Sequence, residues 1–401
     1  MIDLNKSLKD EKINLVFLQF CDIFGNVHGE YIPKNKLEEV LKNGLSFDGS
    51  SINCLSGVQK SDKKLKVDKK YAFLLPNNIL TFFCDINSKY DSRKNLKKIQ
   101  NKFKKKGYSI NVGCELEFYL FDRATFKANL TRLENLGYFS EISTRKINFL
   151  NEVQEILNEQ NFAITTIHHE CGKNQYELNF KFSSPLQIAD KVTIIKQILK
   201  KVAKKYDLYI SFMPKPIKNL AGSGMHINIS LNKNNKNVFY DKNMPYKLSA
   251  LGFNFVKGIQ NHIGAICAFS NPTVNSYKRL NAKIETPTNV RLGYKDRRSC
   301  FRVPEFNENS ARIELRFPDI SCEIYLNLTA ILISAYEEIF NKERTYEGIK
   351  KLPKNLQESL NFLKIDKKIS NLVPKKYITF KEKIIADYES EITAFEIEKY
   401  L

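Results

Sequence analysis

Two glutamates stand two residues apart inside an otherwise apolar run, Val112-Gly113-Cys114-Glu115-Leu116-Glu117-Phe118-Tyr119-Leu120. Strand geometry sends residues i and i+2 to the same face, so Glu115 and Glu117 project together. Adjacent carboxylates repel, and glutamate is a poor strand former. A divalent cation is the simplest group that offsets such a pair. A solvent-facing pair on an edge strand is the alternative, and the apolar flanks favour burial.

Three further segments add polar residues to strands. In His168-His169-Glu170-Cys171-Gly172-Lys173-Asn174-Gln175-Tyr176-Glu177, Glu170 ends one apolar strand and Glu177 begins the next, so a hairpin brings them together. The two histidines are read as hydrogen-bonded supporting residues rather than ligands. Ala221-Gly222-Ser223-Gly224 leads into a strand on which His226, Asn228 and Ser230 share a face, and its glycines let backbone approach a ligand closely. Arg312, Glu314 and Arg316 share a face of another strand, either as an ion network or as a metal ligand between anion-binding groups. Glu115, Glu117, Glu170, Glu177 and Glu314, with one histidine and two arginines, fit two divalent metals and phosphoryl transfer. No G-x-x-x-x-G-K-[ST] motif is present, so a nucleotide must bind by another architecture.

The remaining composition narrows the class. The 401 residues suffice for two domains with a large core, and no apolar run is long enough to span a bilayer. The beginning, MIDLNKSLKDEK, lacks a secretory apolar segment, which predicts a cytoplasmic protein. The 8 cysteines include no C-x-x-C pair and read as reduced thiols. The net charge of +20 is spread over lysines along the whole chain without a nucleic-acid motif, so it reads as a solvated surface with no nucleic-acid partner expected.

The order of elements is α+β. Residues 1–92 read as short strands with one helix: strands over 14–21, 27–32, 71–75 and 79–86, and helical spacing over 33–42. The basic amphipathic segment 92–107 opens a second domain, 93–401. There helices are predicted over 147–160, 186–206, 246–270 and 321–342, and strands over 111–121, 163–169, 175–182, 225–231 and 310–317.

Seven segments in order, FDGSS at 47–51, ELEFYLFD at 115–122, HHE at 168–170, MPKP at 213–216, GSGMH at 222–226, NPTVNSYKRL at 271–280 and RIELRFPD at 312–319, resemble glutamine synthetase of the bacterial type I kind across nearly the whole chain. The resemblance implies a small N-terminal β-grasp domain and a larger catalytic domain on a curved antiparallel sheet with flanking helices. It implies ATP-dependent ligation of ammonia to the γ-carboxylate of glutamate through γ-glutamyl phosphate. It also implies two or more Mg²⁺ or Mn²⁺ ions per site, ATP as co-substrate, and a homododecamer whose active sites lie between subunits. By the same resemblance, one metal would be held by Glu115, His226 and Glu314, and the second by Glu117, Glu170 and Glu177. Arg279 would grip the substrate α-carboxylate beside Gly222, and Arg316 the γ-carboxylate. Arg297 would steady the transferring phosphoryl group. Glu285 would close the site as a flap, while Asp48 of an adjacent subunit would complete the ammonium pocket. Asn228, Ser230 and Arg312 fall on nucleotide positions, with Phe182 a candidate to stack on adenine.

The chain departs from that pattern at Ala221, where an asparagine is usual, along the flap at 281–285, at Asp296-Arg297-Arg298, and at Asn309 in place of a lysine. Two other readings follow: a γ-glutamyl ligase for an organic amine such as a polyamine, and a weakly active nitrogen-sensing relative. Retention of Asp48 and Glu285, two anions able to cage a small cation, favours ammonium.

Overall fold

A computed structural model describes residues 10–122, 137–282, 284–287, 289–341 and 348–400. Flap residue 283 and the expected helix end at residue 342 lie outside the described residues. The hairpin expected around Gly25-Asn26 forms from β1 (Leu15–Cys21) and β2 (Val27–Pro33), with Phe20 opposite His28. Gly25 turns the chain at φ 86°, where a side chain would be strained. After helix α1 (Leu37–Asn43) come β3 (Leu45–Asp48), β4 (Asp62–Leu75) and β5 (Ile79–Ile86). They form a five-stranded sheet in the order β2-β1-β5-β4-β3, with β1 and β5 parallel: a β-grasp domain. Helix α1 buries Leu37 and Val40 against the sheet's own core of Val16, Leu18, Leu65 and Leu80. β4 begins well before residue 71 because its lysine-rich half still alternates, with Leu65 and Val67 inward between exposed lysines.

Helix α2 (Ser92–Lys105) leads to β6 (Tyr108–Asp122), α3 (Thr144–Asn158), β7 (Ile164–His169), β8 (Gln175–Phe180), α4 (Pro185–Lys205) and β9 (Leu208–Ser211). Then follow β10 (Met225–Lys233), β11 (Lys236–Asn237), α5 (Ala250–Ser270), α6 (Val274–Leu280), β12 (Asn289–Tyr294), β13 (Ser299–Val303) and β14 (Ile313–Leu315). The chain closes with α7 (Ile324–Tyr336), α8 (Leu356–Ile365), α9 (Lys367–Ser370), α10 (Lys375–Glu389) and α11 (Ala394–Tyr400). A nine-stranded sheet carries the main path β12-β13-β14-β10-β6-β8-β7. It is mixed rather than wholly antiparallel, because β12 and β13 run parallel. Among the described residues no helix is long and apolar enough to cross a membrane.

Several expected elements are shorter than their spacing suggests, and two have clear local causes. Helix α5 starts at Ala250 rather than at residue 246, because Ser249 caps it (its hydroxyl accepts from Gly252 N at 3.2 Å) and Tyr246 and Lys247 sit at positive φ. The strand expected over 310–317 contracts to β14. The Asn307 side chain turns the backbone at Ser310, and Pro318 follows its far end.

Opposite faces of the nine-stranded sheet differ sharply. Cys114, Leu116 and Phe118 of β6, Ile227 and Ile229 of β10 and Tyr176 and Leu178 of β8 enter one large core with residues of α2, α4, α5 and α7. The other face carries the polar residues. Arg93 of α2 fastens the five-stranded sheet to helix α4: it donates to both oxygens of Asp190 on α4 at 2.8 Å and reaches Asp68 of β4 at 3.0 Å and Asp85 of β5 at 3.1 Å. Gln160 adds a second tie, accepting from Leu74 N at 2.7 Å and donating to Leu74 O at 2.8 Å.

Candidate active site

Strand register turns the scattered acids into rows on one face. Glu115 of β6 lies opposite His226 of β10 on one side and Asn179 of β8 on the other. Glu117 lies opposite Glu177, which lies opposite His168 of β7. Asn228 of β10 lies opposite Glu314 of β14, which lies opposite Arg302 of β13. Each pair obeys the two-residue period, so one choice of face for β6 determines the whole array.

Contacts within the array are tight. His226 Nδ1 is 2.9 Å from Glu115, 3.6 Å from Glu117 and 3.9 Å from Glu314. Glu117 accepts from the backbone N–H of Gly224 at 2.7 Å and from Gln175 at 3.3 Å. Gly224 is needed for that approach, since a Cβ there would lie 2.7 Å from the Arg279 guanidinium and 3.0 Å from His226 Nε2. His168 is 3.2 Å from Glu177, which also accepts from Asn179 at 2.7 Å.

Electrostatics follow from this crowding. Burial and the nearby Glu117 charge push Glu170 up to about 7. Burial likewise raises Glu117, against the pull of His226. Glu314 is held below the usual carboxylate range: burial opposes the shift, but His226, Arg316 and Arg302 together outweigh it. Among the described residues, two groups of donor atoms lie close enough to share an ion, Glu115–Glu177–His226 and His168–Glu170–Glu177. The hard, oxygen-rich donor set fits a divalent cation such as Mg²⁺ or Mn²⁺. His168 was expected only to support ligands, and its ring does orient Glu177 while standing within reach of an ion itself.

A cavity of ≈ 170 Å³ gathers most of the expected residues: Glu115, Glu117, Glu170, Glu177, Gly222, His226, Arg279, Glu285, Arg297, Glu314 and Arg316. Arg279 is buried and donates to the backbone carbonyls of Phe317, Pro318 and Arg316, yet its Nε–H has no partner among the described residues. Such a donor suits an anionic ligand. Arg316 holds Glu314 at 2.5 Å and donates to the carbonyls of Arg297 at 2.9 Å and Glu285 at 3.4 Å. Glu285 itself takes φ 50°, a conformation costly for a residue with a Cβ.

Asn228, Ser230, Arg312 and Phe182 line a second, roomier cavity of ≈ 610 Å³ that also reaches Glu115. Asn228 links the two, donating to Glu115 at 2.9 Å and accepting from Arg312 at 3.1 Å. Phe182 is 56% exposed at the cavity wall, an unusual place for a phenyl ring with no role. Asp48 is the expected residue that the chain does not bring to either cavity. It is exposed at the end of β3, its carboxylate accepting from Ser50 and Ser51.

Four lining residues of the first cavity, Tyr138, Gln175, Thr286 and Arg302, escaped sequence reasoning. Arg302 alternates with buried Phe301 and Val303 on β13, and this period-2 pattern was the available signal. Gln175 shares the parity of Glu177. Tyr138, hydrogen-bonded to Arg297 beside Glu170, follows residues outside the described set and no local pattern marks it.

Comparison with known proteins agrees with a β-grasp domain followed by a catalytic domain. The family description "Glutamine synthetase, beta-Grasp domain" matches residues 12–89, and "Glutamine synthetase, catalytic domain" matches residues 89–400. The chain is 34% identical to a glutamine synthetase of Methanosarcina mazei, covering 100% of this chain and 97% of the relative. It is 33% identical to one of Clostridium saccharobutylicum, covering 100% and 98%. Among solved structures, Plasmodium falciparum glutamine synthetase superposes with TM-score 0.87 at 27% identity, covering 99% of this chain and 98% of that one. A GmaS/ADP complex shares the fold with TM-score 0.88 at 23% identity, covering 100% and 99%. The chain belongs to the glutamine synthetase family.

Proposed function

We propose that this chain is a glutamate–ammonia ligase of the bacterial type I kind, making glutamine from glutamate, ammonium and ATP in the cytoplasm. The observation that carries the reading is the convergence of six metal-ligand candidates with Arg279, Arg297, Arg316 and Glu285 on one cavity, next to a larger one lined by Phe182 and Arg312. In this reading residues 1–92 form the N-terminal domain and residues 93–401 bind ATP, metal and glutamate.

Glu115, His226 and Glu314 would hold one divalent ion and Glu117, Glu170 and Glu177 another, with His168 orienting Glu177. Bound ions supply neutralisation of phosphate charge and Lewis acidity. Arg279 binds the glutamate α-carboxylate with its unused donor, and Arg316 aligns the γ-carboxylate. The γ-carboxylate oxygen attacks the γ-phosphorus of ATP and ADP departs, leaving an acyl phosphate. Arg297 and Arg302 stabilise the charge that develops on the phosphoryl oxygens. Glu285 closes over the site and, with Glu170 and the Asp48 of a neighbouring subunit, draws in ammonium and accepts its proton. Ammonia then attacks the acyl carbon and phosphate leaves. Exclusion of water protects the acyl phosphate meanwhile. The exposure of Asp48 away from its own chain's cavity supports active sites shared between subunits of a homododecamer.

Release of phosphate from ATP that requires Mg²⁺, glutamate and ammonium together tests the proposal. A second reading, coupling to an organic amine, draws on Ala221, whose methyl side chain lines the cavity where an amide is usual. Activity with a polyamine but not with ammonium would decide for it.

A further inference from the structure

Cys171 sits on the turn between β7 and β8, exposed, and lies against two residues that line the active-site cavity, Glu170 and Glu285. The turn is firmly tied. Glu170 N donates to Gln175 O at 2.8 Å and Gln175 N to Gly172 O at 2.9 Å. Gly172 N donates to Gln175 Oε1 at 3.0 Å, and Cys171 N to Glu170 Oε2 at 2.9 Å. Glu285 is held far more loosely. It lies outside any helix or strand, takes φ 50°, and brings its carboxylate to a cavity that already holds Glu117, Glu170 and Glu177. Backbone strain and like-charge repulsion both favour its leaving. Two donors oppose that departure among the described residues: Arg316 holds the Glu285 carbonyl at 3.4 Å, and the Cys171 thiol donates to Glu285 Oε2 at 3.6 Å.

We propose that Cys171 is a positioning residue for the ligation: its thiol, fixed on the β7–β8 turn, latches the Glu285 carboxylate over the cavity, so that ammonium is held and water kept out. This role rests on the reading of Glu285 as the residue that closes the site. Sulfur is suited to it because S–H is a weak donor, able to bias where Glu285 rests and still release it in each turnover. A lysine in the same place would bind the carboxylate more strongly and would compete with ammonium for it. A neutral thiol leaves the negative charge of Glu285 available to the substrate.

The test compares the full-length assembled protein with Cys171→Val and Cys171→Ser. Phosphate release from ATP is followed with Mg²⁺ and glutamate present while ammonium is varied from zero. Valine removes the donor and keeps a small apolar side chain; serine keeps a donor. Cys171→Val is expected to raise KM for ammonium about fivefold, the loss of one hydrogen bond. Phosphate release without ammonium should rise by a similar factor, as water reaches the acyl phosphate. KM for ATP and for glutamate should stay unchanged, and Cys171→Ser should remain within about twofold of the wild type on each count. A cysteine that merely packs would give the reverse order, with valine tolerated and serine not. That reverse order, an unaffected valine variant, or a shift of all three KM values together overturns the latch and leaves the ligase reading in place. Absence of ammonium-dependent release from the wild-type protein overturns the ligase reading and the latch with it.

Discussion

Arg302 and Glu314 face one another across β13 and β14, and the Arg302 guanidinium donates to Glu314 Oε2 at 2.5 Å while Arg316 takes Oε1 at the same distance. Both oxygens of a buried carboxylate are thus shared between two cations and the adjacent His226. Replacement by glutamine keeps the shape and removes the charge. Glu314→Gln is expected to lower turnover by at least about a thousandfold, because it reduces electrostatic stabilisation at the reacting phosphate. Glu314→Ala should do the same and destabilise the fold by about 3 kcal/mol, since it strands two guanidinium groups. Phosphate release and thermal unfolding measure the two effects, and undiminished turnover in Glu314→Gln would sink the metal assignment.

Arg279 offers a different signature. Its Nη groups donate to backbone carbonyls, and its Nε–H, without a partner among the described residues, is left for a ligand. Arg279→Lys should raise KM for glutamate by about a hundredfold, the loss of a charged hydrogen bond, with KM for ATP changed little. Steady-state kinetics with each substrate varied separately distinguish this from general damage.

Phe182 is expected to serve ATP alone. Phe182→Ala should raise KM for ATP about tenfold through the loss of a stacked ring while KM for glutamate stays put. Because the residue is more than half exposed, the unfolding temperature should not move. Equal effects on both substrates would remove Phe182 from the nucleotide cavity.

Asp48 permits a complementation experiment. Chains carrying Asp48→Ala and chains carrying Glu314→Gln should each be inactive. Unfolding and refolding them together should restore a fraction of activity, since some mixed interfaces would pair an intact Asp48 with an intact metal site. No recovery from properly assembled mixtures counts against sites shared between subunits.

The Arg93 clasp predicts how stability responds to acid. Asp68 is depressed to about 2: burial works against the shift, and the Lys97 hydrogen bond and the Arg93 charge overcome it. A depressed carboxylate stabilises the fold above its unfolded value and loses that contribution as protons bind. Stability should therefore fall as pH drops from about 4 toward about 2. Denaturant midpoints across that range should show a shallower slope in Asp68→Asn.

Much of the candidate site was legible because it rests on a two-residue period. Glu115 and Glu117 between buried Cys114, Leu116 and Phe118 fixed both the strand and its polar face, and the same logic held for His226 and Asn228. What escaped depends on contacts that no single strand encodes. Arg302 joins only because β13 docks beside β14, and Tyr138 arrives from a loop. The parallel pairing of β12 with β13 is likewise set by the path of the chain between them. In the C-terminal third, α8 and α10 went unread. Yet Leu360, Leu363 and Tyr377 are fully or almost fully buried.

Since every strand in the array is bound to its neighbour by the same pleat, the site behaves like a text with one reading frame. A point substitution alters one letter. A single-residue insertion within 113–117 would instead exchange the two faces of β6 from that point onward, driving glutamates into the core and leucines toward the cavity. The strands of this chain therefore tolerate changes of identity far better than changes of length, and length variation should be confined to the loops that join them.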